Sequence, residues 1–285
     1  MPFFRKKKPI KTHEKASKPK PKVATKEVRE AWIVVACGAK GSGKTVRTVQ
    51  EIEAYTKAHQ KPVVIFDINM EVDYSKYKVI AIKDLKKLRK PEIRRVIPFH
   101  QDGTEFEIGE KEDALSKILK AFSKGCVVIE DINKYVISMR TKSILGQITT
   151  NRHRGQDIII HLQNISKLDP TLWENTNLIR YHAQNEFSPS VKSRLPHLEL
   201  ISLTDLILKE ALKENKYYFI YINIQQYHIF GISRDQFKVA STTFLNKNRK
   251  QLTELYNELD IKPNAENKEK AVNLFIDQRQ TWYQQ

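Results

Sequence analysis

The densest chemistry in this 285-residue chain lies in eight consecutive residues, Gly38-Ala39-Lys40-Gly41-Ser42-Gly43-Lys44-Thr45. They satisfy the pattern G-x-x-x-x-G-K-[ST] at every position. A loop of this kind, set between a buried strand and a helix, wraps a phosphate because backbone N–H groups at a helix N-terminus point at the anion. Gly43 permits close approach of the backbone. Lys44 offers a positive charge to the β- and γ-phosphates, and Thr45 offers a hydroxyl to Mg²⁺. The implied ligands are ATP and Mg²⁺.

A second group of polar residues stands at the end of an apolar run. Cys126-Val127-Val128-Ile129 is followed by Glu130-Asp131, and the carboxyl ends of strands are where ligands bind in open α/β sheets. One carboxylate can serve Mg²⁺ while the other orients an attacking water. The usual order is Asp then Glu, reversed here, which leaves the division of roles open; Glu130 is taken as the candidate for Mg²⁺ and Asp131 as the candidate for the water. A third group brackets the run Ile158-Ile159-Ile160, with Arg152 and Arg154 before it and Gln163 after it. If that strand lies beside the one ending at Glu130, Gln163 reaches the γ-phosphate and positions water without forming a charge. The arginines can reach the nucleotide of a neighbouring subunit. His153 and His161 lack a paired Cys/His spacing, so no zinc site is expected.

These residues need a scaffold. Trp32 to Cys37, Val63 to Phe66, Cys126 to Ile129, Ile158 to Ile160 and Leu178 to Tyr181 read as buried strands, with Val79 to Ile82 and Arg95 to Phe99 as shorter candidates. Helical spacing runs from Lys44 to about His59, Asp113 to Ser123 and Ser138 to Thr150. The alternation predicts an α/β fold with a mostly parallel central sheet of the P-loop NTPase (RecA-like) type and helices on both faces. Tyr217 to Asn223 and Tyr227 to Ile232 read as an antiparallel β-hairpin at the sheet edge. Phe244 to Leu259 and Lys268 to Phe275 read as C-terminal helices, with a Gln-rich end expected to fray. The expected organisation is a basic arm at 1–28, an ATPase domain at 29–240 and a helical extension at 241–285.

Composition narrows the class. With 40% apolar and 29% charged residues, a sizeable core is available and global disorder is excluded. The two cysteines lie in apolar runs and make no disulfide framework. No N-terminal apolar segment follows the first charges, and no stretch approaches the roughly 20 apolar residues of a membrane helix. A cytoplasmic protein with no transmembrane segment is expected. Net charge is +17. The first 22 residues, with nine Lys/Arg against Glu14, supply +8 of it. Such an arm attracts polyanions, which points to nucleic acid, DNA above all, or to another acidic partner.

Taken together, Gly38–Thr45, the strand closing on Glu130-Asp131, Arg152-x-Arg154-Gly155 and the segment from Gln163 through Asp169-Pro-Thr-Leu172 to Asn177 resemble the HerA/FtsK superfamily of DNA-pumping P-loop ATPases. The resemblance spans roughly residues 31–185. It implies a ring oligomer, a hexamer, around DNA, with Arg152 as a finger acting on the neighbouring subunit and Arg154 as the second choice. The small size and lone motor domain resemble viral genome-packaging ATPases, with a capsid or portal as a further partner. The Zot-like assembly proteins of filamentous phages are also similar, though they usually carry a membrane helix. Two other classes fit parts of the pattern. A P-loop kinase would need an arginine lid, for which Arg180 and Arg194 are available. A nucleic-acid-binding structural protein would use the nucleotide only as a switch.

Overall fold

The computed structural model describes residues 31–136, 142–185 and 195–284; the basic arm and Arg194 lie outside them. Among these residues eight strands form one sheet. They are β1 (Ile33–Cys37), β2 (Val63–Phe66), β3 (Ile93–Val96), β4 (Cys126–Ile129), β5 (Asp157–Leu162), β6 (Leu178–His182), β7 (Phe219–Asn223) and β8 (His228–Ile229). Their order across the sheet is β3-β2-β4-β5-β1-β6-β7-β8. β1 to β6 are parallel, while β7 and β8 run antiparallel as the hairpin at one edge. The placement of β5 beside β4 agrees with the expectation from sequence, and β5 also pairs with β1. The phosphate-loop strand and the carboxylate strand are therefore separated by one strand.

Parallel strands buried on both faces read as unbroken apolar runs, and β2 and β4 are buried at every position. Side chains alternate between faces. Ile33, Val35 and Cys37 point into the larger core, together with Val64, Phe66, Val127, Ile129, Ile158 and Ile160. On the other face Val63, Ile65, Val128 and Ile159 meet Val49 and Ile52 of α1 (Lys44–His59). Ile52 is fully buried, so truncating it to Ala should cost about 2–5 kcal/mol and loosen the helix that carries Lys44 and Thr45.

The larger core is closed by α2 (Ile108–Ala121), α3 (Lys142–Thr149), α5 (Pro170–Asn175), α6 (Leu198–Ala211), α7 (Arg234–Lys247), α8 (Arg249–Glu258) and α9 (Ala265–Asp277), while the short α4 (Asn151–Arg154) leads into β5. Several expectations are corrected. Val79 to Ile82 is no strand; Val79 makes a single bridge to Arg95. α2 starts at Ile108 instead of Asp113, because Glu107 and Glu110 form a reciprocal capping box ahead of the buried periodicity. α6, absent from the sequence reading, is a helix whose Leu200, Ile201, Leu203, Ile207 and Leu208 are all buried. The helix expected at Phe244 begins at Arg234, where Ser233 and Gln236 form another capping box, and it breaks at Asn248. Residue 240, the expected domain limit, falls inside α7. Through residue 284 the Gln-rich end does not fray: Tyr283 stacks on Phe237 with ring centroids 4.7 Å apart, and the Arg279 guanidinium sits 3.6 Å from the centroid of Phe275. Cys37 and Cys126 are buried and form no disulfide, and burial pushes the Cys37 thiol up to about 12. Among the described residues no helix is long and apolar enough to cross a membrane.

Candidate active site

The phosphate loop joins the carboxyl end of β1 to the first turn of α1. Its two ends are pinned by neighbouring strands: Gly38 N–H donates to Leu162 O of β5 (3.1 Å) and Ala39 N–H to Ala183 O beyond β6 (2.7 Å). Gly38 is packed so closely that a Cβ there would lie 2.6 Å from His182 Cβ and 2.8 Å from Ser42 Oγ. Gly43, the residue before the helix, has φ +85°, a left-handed conformation that strains any side chain. Lys44 Nζ donates to Gly38 O (2.7 Å) and Ala39 O (2.9 Å), so the ammonium spans the mouth of the loop. Burial pulls the Lys44 ammonium below its ordinary value, against the charges of Asp131 and Glu130, which pull it back up. Ser42 Oγ is buried with no hydrogen-bond partner among the described residues. Thr45 is half-buried in the first turn of α1.

The two carboxylates after β4 occupy different environments. Glu130 is 2% exposed. Its Oε1 accepts a short hydrogen bond from Tyr74 Oη, and its Oε2 lies 2.9 Å from His161 Nδ1. Burial pushes the Glu130 carboxyl up, but His161 and the Tyr74 hydroxyl outweigh it and hold the group below the usual carboxylate range. Asp131 follows with φ +39°, a turn that Asp tolerates better than most residues. Its Oδ2 receives Asn69 Nδ2 (3.2 Å), Lys134 Nζ (2.8 Å) and, at a long 3.5 Å, Gln163 Nε2. Burial again raises the group, and Lys134, with Asn69 and Gln163, more than offsets it. Asp131 and the exposed Gln163 thus meet above the carboxyl ends of β4 and β5, with Asn69 arriving from the end of β2.

Sequence reasoning placed Gly38–Thr45, Glu130, Asp131 and Gln163 at one end of the sheet, and the structure brings them there. Arg152 and Arg154 lie elsewhere. α4 precedes β5, so the arginines stand at the opposite end of the strand from Gln163, about 20 Å away for a six-residue strand. Arg152 is exposed. Arg154 Nη1 donates to Leu119 O (2.6 Å), satisfying a carbonyl in the last turn of α2. Arg180 is no lid residue: it is fully buried on β6. Its guanidinium pairs with Glu51, donates to Thr48 Oγ1 (2.5 Å) and to Lys44 O (3.2 Å), and so anchors α1 beneath the loop. Tyr221 of β7 donates to the same Glu51 carboxylate.

Tyr74, His161, Asn69, Lys134 and Arg180 were missed as site residues. A signal existed for two of them. His161 and Arg180 interrupt apolar strands, and buried titratable groups are partnered. Among the described residues no cluster of three or more His, Cys, Asp or Glu could cage a metal alone.

Comparison with known proteins places this geometry. Among curated proteins, none matches the chain. The genome packaging NTPase B204 from Sulfolobus turreted icosahedral virus 2, in complex with AMPPCP, superposes with a TM-score of 0.51 at 19% identity, covering 70% of this chain and 95% of that one. Its complex with ATP-gammaS gives 0.50 and 20%, covering 69% and 94%. The N-terminal domain of zonular occludens toxin from Neisseria meningitidis aligns at 20% identity with a TM-score of 0.34, over 55% of this chain and 79% of that one. The likeness to B204 shows a shared P-loop NTPase fold. Residues 32–221, well over half of the chain, match the family profile described as zonular occludens toxin (Zot), and the chain belongs to that family.

Proposed function

We propose that this protein is an ATPase that moves nucleic acid during phage or virus assembly. The observation that carries this reading is the meeting of Asp131 with Gln163 at the same end of the sheet as a complete phosphate loop. A phosphate-binding loop alone suits a switch or a kinase. A carboxylate paired with a neutral amide beside it suits the positioning of a water for in-line attack on a γ-phosphate.

In this reading the backbone N–H groups of the loop beyond the pinned Gly38 and Ala39, from Lys40 to Thr45, cradle the phosphates, and Lys44 neutralises charge that develops on the transferred group. Asp131, kept ionised by Lys134 and Asn69, orients the water and accepts its proton, with Gln163 fixing its position. Thr45 and Glu130 would hold Mg²⁺. Their oxygens suit a hard cation that takes one or two carboxylates together with substrate phosphates, and Glu130 is held in its charged form. Bound Mg²⁺ would neutralise phosphate charge.

Arg152, remote from this chain's own loop, is proposed to act on the nucleotide of a neighbouring subunit in a ring, a hexamer by the superfamily resemblance. The nucleic-acid part rests on the +17 charge and on the arm that holds +8 of it. B204 is described as a packaging NTPase, which favours packaging into a shell; membership of the Zot family favours assembly or export of a phage particle. Both require the same motor chemistry. Release of inorganic phosphate from Mg-ATP by the wild type, abolished in Lys44→Ala, tests that chemistry. Turnover at the wild-type rate in Lys44→Ala removes it.

A further inference from the structure

Glu130 stands where the strand order of the usual motif puts the shorter Asp. Glu adds a methylene and a rotatable bond, so a carboxylate at this position has more freedom to lose before it can serve a fixed ligand. The structure answers this with a line of buried polar groups that crosses from α1 to the far side of Glu130. Arg180 Nη2 donates to Thr48 Oγ1 (2.5 Å), Thr48 Oγ1 lies 2.7 Å from His161 Nε2, His161 Nδ1 lies 2.9 Å from Glu130 Oε2, and Tyr74 Oη donates to Glu130 Oε1. His161, Arg180 and Tyr74 are fully buried, as is Thr48.

The strand register makes this possible. Ile129 pairs with Ile160, so Glu130 and His161 follow side by side on the face covered by α1. Thr48, one turn beyond Lys44, points down at the same face. An arginine only donates hydrogen bonds, so the Thr48 hydroxyl accepts from Arg180 and its own proton is available to His161 Nε2. His161 Nδ1 stands 2.9 Å from Oε2 with its N–H not aligned on that oxygen, so the pair is a close polar contact and not an aligned hydrogen bond. A leucine at position 161 would fit an apolar strand with none of these partners. The polar line earns its place only if Glu130 must be held.

We propose that His161 is a positioning residue for Glu130: with Tyr74 it clamps the carboxylate from both oxygens and ties it, through Thr48, to the helix that carries the phosphate loop. The proposal rests on the reading of Glu130 as the Mg²⁺-side carboxylate. It makes the geometry of the metal-side group depend on α1, so the loop and the carboxylate are set as one unit.

Three substitutions in the full chain test it. Asn places an amide near the position of Nδ1, Gln near that of Nε2, and Leu removes both. Mant-ATP binding is followed in EDTA and against Mg²⁺ concentration, together with kcat and thermal melting. His161→Leu and His161→Gln are expected to lose 10–100-fold in kcat, the range for outer-shell partners of metal ligands, and to need more Mg²⁺ for half-maximal tightening of nucleotide binding. Affinity in EDTA should be essentially unchanged, because the loop itself is intact. His161→Asn should recover most of both losses. Tyr74→Phe, which keeps the ring and removes only the hydroxyl, should shift Mg²⁺ dependence the same way and serves if position 161 does not tolerate change. Unaltered kcat and Mg²⁺ dependence in His161→Leu, or equal loss in all variants with affinity in EDTA falling alongside, overturns the proposal. If the wild type itself shows no Mg²⁺-dependent nucleotide binding, the underlying reading fails and the proposal with it.

Discussion

Asp131 and Gln163 reach each other across two adjacent strands: Gln163 Nε2 lies 3.5 Å from Asp131 Oδ2, the one residue after β5, the other just beyond the end of β4. The distance is long for a hydrogen bond, and it leaves both groups available to a third partner between them. Glu130, one residue earlier, is closed in by Tyr74 and His161. The adjacent carboxylates are thus separated in role by their surroundings. One faces the rim of the site and the other is locked in the sheet.

Asp131→Asn should therefore keep nucleotide affinity within a few-fold and lower kcat by about 10²–10⁴, the range for a lost general base. Glu130→Gln should instead weaken Mg²⁺-dependent binding. Affinities and kcat for both variants decide the point. An active Asp131→Asn beside a dead Glu130→Gln with normal Mg²⁺ dependence would reverse the assignment.

Arg152 is exposed on α4, at the far end of β5 from its own phosphate loop. If it serves a neighbour, Arg152→Ala should bind ATP normally and lose about three orders of magnitude or more in turnover. Mixing it with Lys44→Ala chains should restore some activity, because mixed interfaces pair an intact loop with an intact arginine. No recovery, with subunit exchange confirmed, contradicts action in trans. Arg154→Ala should mainly lower the melting temperature, since its guanidinium caps Leu119 O.

His182 links the loop to pH. Burial, with the charge of Arg180, pushes its imidazole down from 6.5 to about 3, against the bond to Ser42 O that favours the charged ring. The folded chain refuses a proton that the unfolded chain accepts below 6.5. Stability should therefore fall as pH drops from 6.5 towards 3, by up to about 1.4 kcal/mol per pH unit from this group. His182→Asn retains a donor for Ser42 O and does not titrate. Denaturant unfolding from pH 7 to pH 4 should show a shallower loss in the variant; parallel curves would contradict the placement of a neutral ring.

The arm carries +8 in 22 residues. Its removal should flatten the dependence of DNA affinity on salt, because fewer counterions are released from phosphate. Fluorescence anisotropy across a salt series measures the slope. Equal slopes for the full and shortened chains would assign the arm to a protein partner.

How much of this was legible beforehand differs by residue. Gly38 to Thr45 could be read because all of the loop's chemistry is local in sequence. Val63–Phe66 and Cys126–Ile129 could be read because strands buried on both faces leave continuous apolar runs. The strand before Gln163 could be placed beside the one ending at Glu130, which put the glutamine within reach of the γ-phosphate; its contact with Asp131 could not be read. The clamp on Glu130 could not be read: Thr48 and His161 are 113 positions apart, and neither carries a motif. α6 went unread although Leu200, Ile201, Leu203, Thr204, Ile207 and Leu208 share one buried face at helical spacing; the signal was there and was passed over. The kinase alternative had Arg180 available as a lid residue, and the structure closes that option, since an arginine in sequence carries no sign of the Glu51 and Thr48 that bury it.

The central claim is that nucleic acid drives turnover at this site in an assembled ring. The most direct measurement is steady-state ATP hydrolysis by the full chain with no DNA, with single-stranded DNA and with double-stranded DNA, alongside mass by light scattering under the same conditions. The expected result is a rate that rises several-fold or more with DNA, in a species of several subunits, and that vanishes in Lys44→Ala. ATP binding without hydrolysis, or hydrolysis indifferent to either form of DNA in a species that stays monomeric, would contradict it.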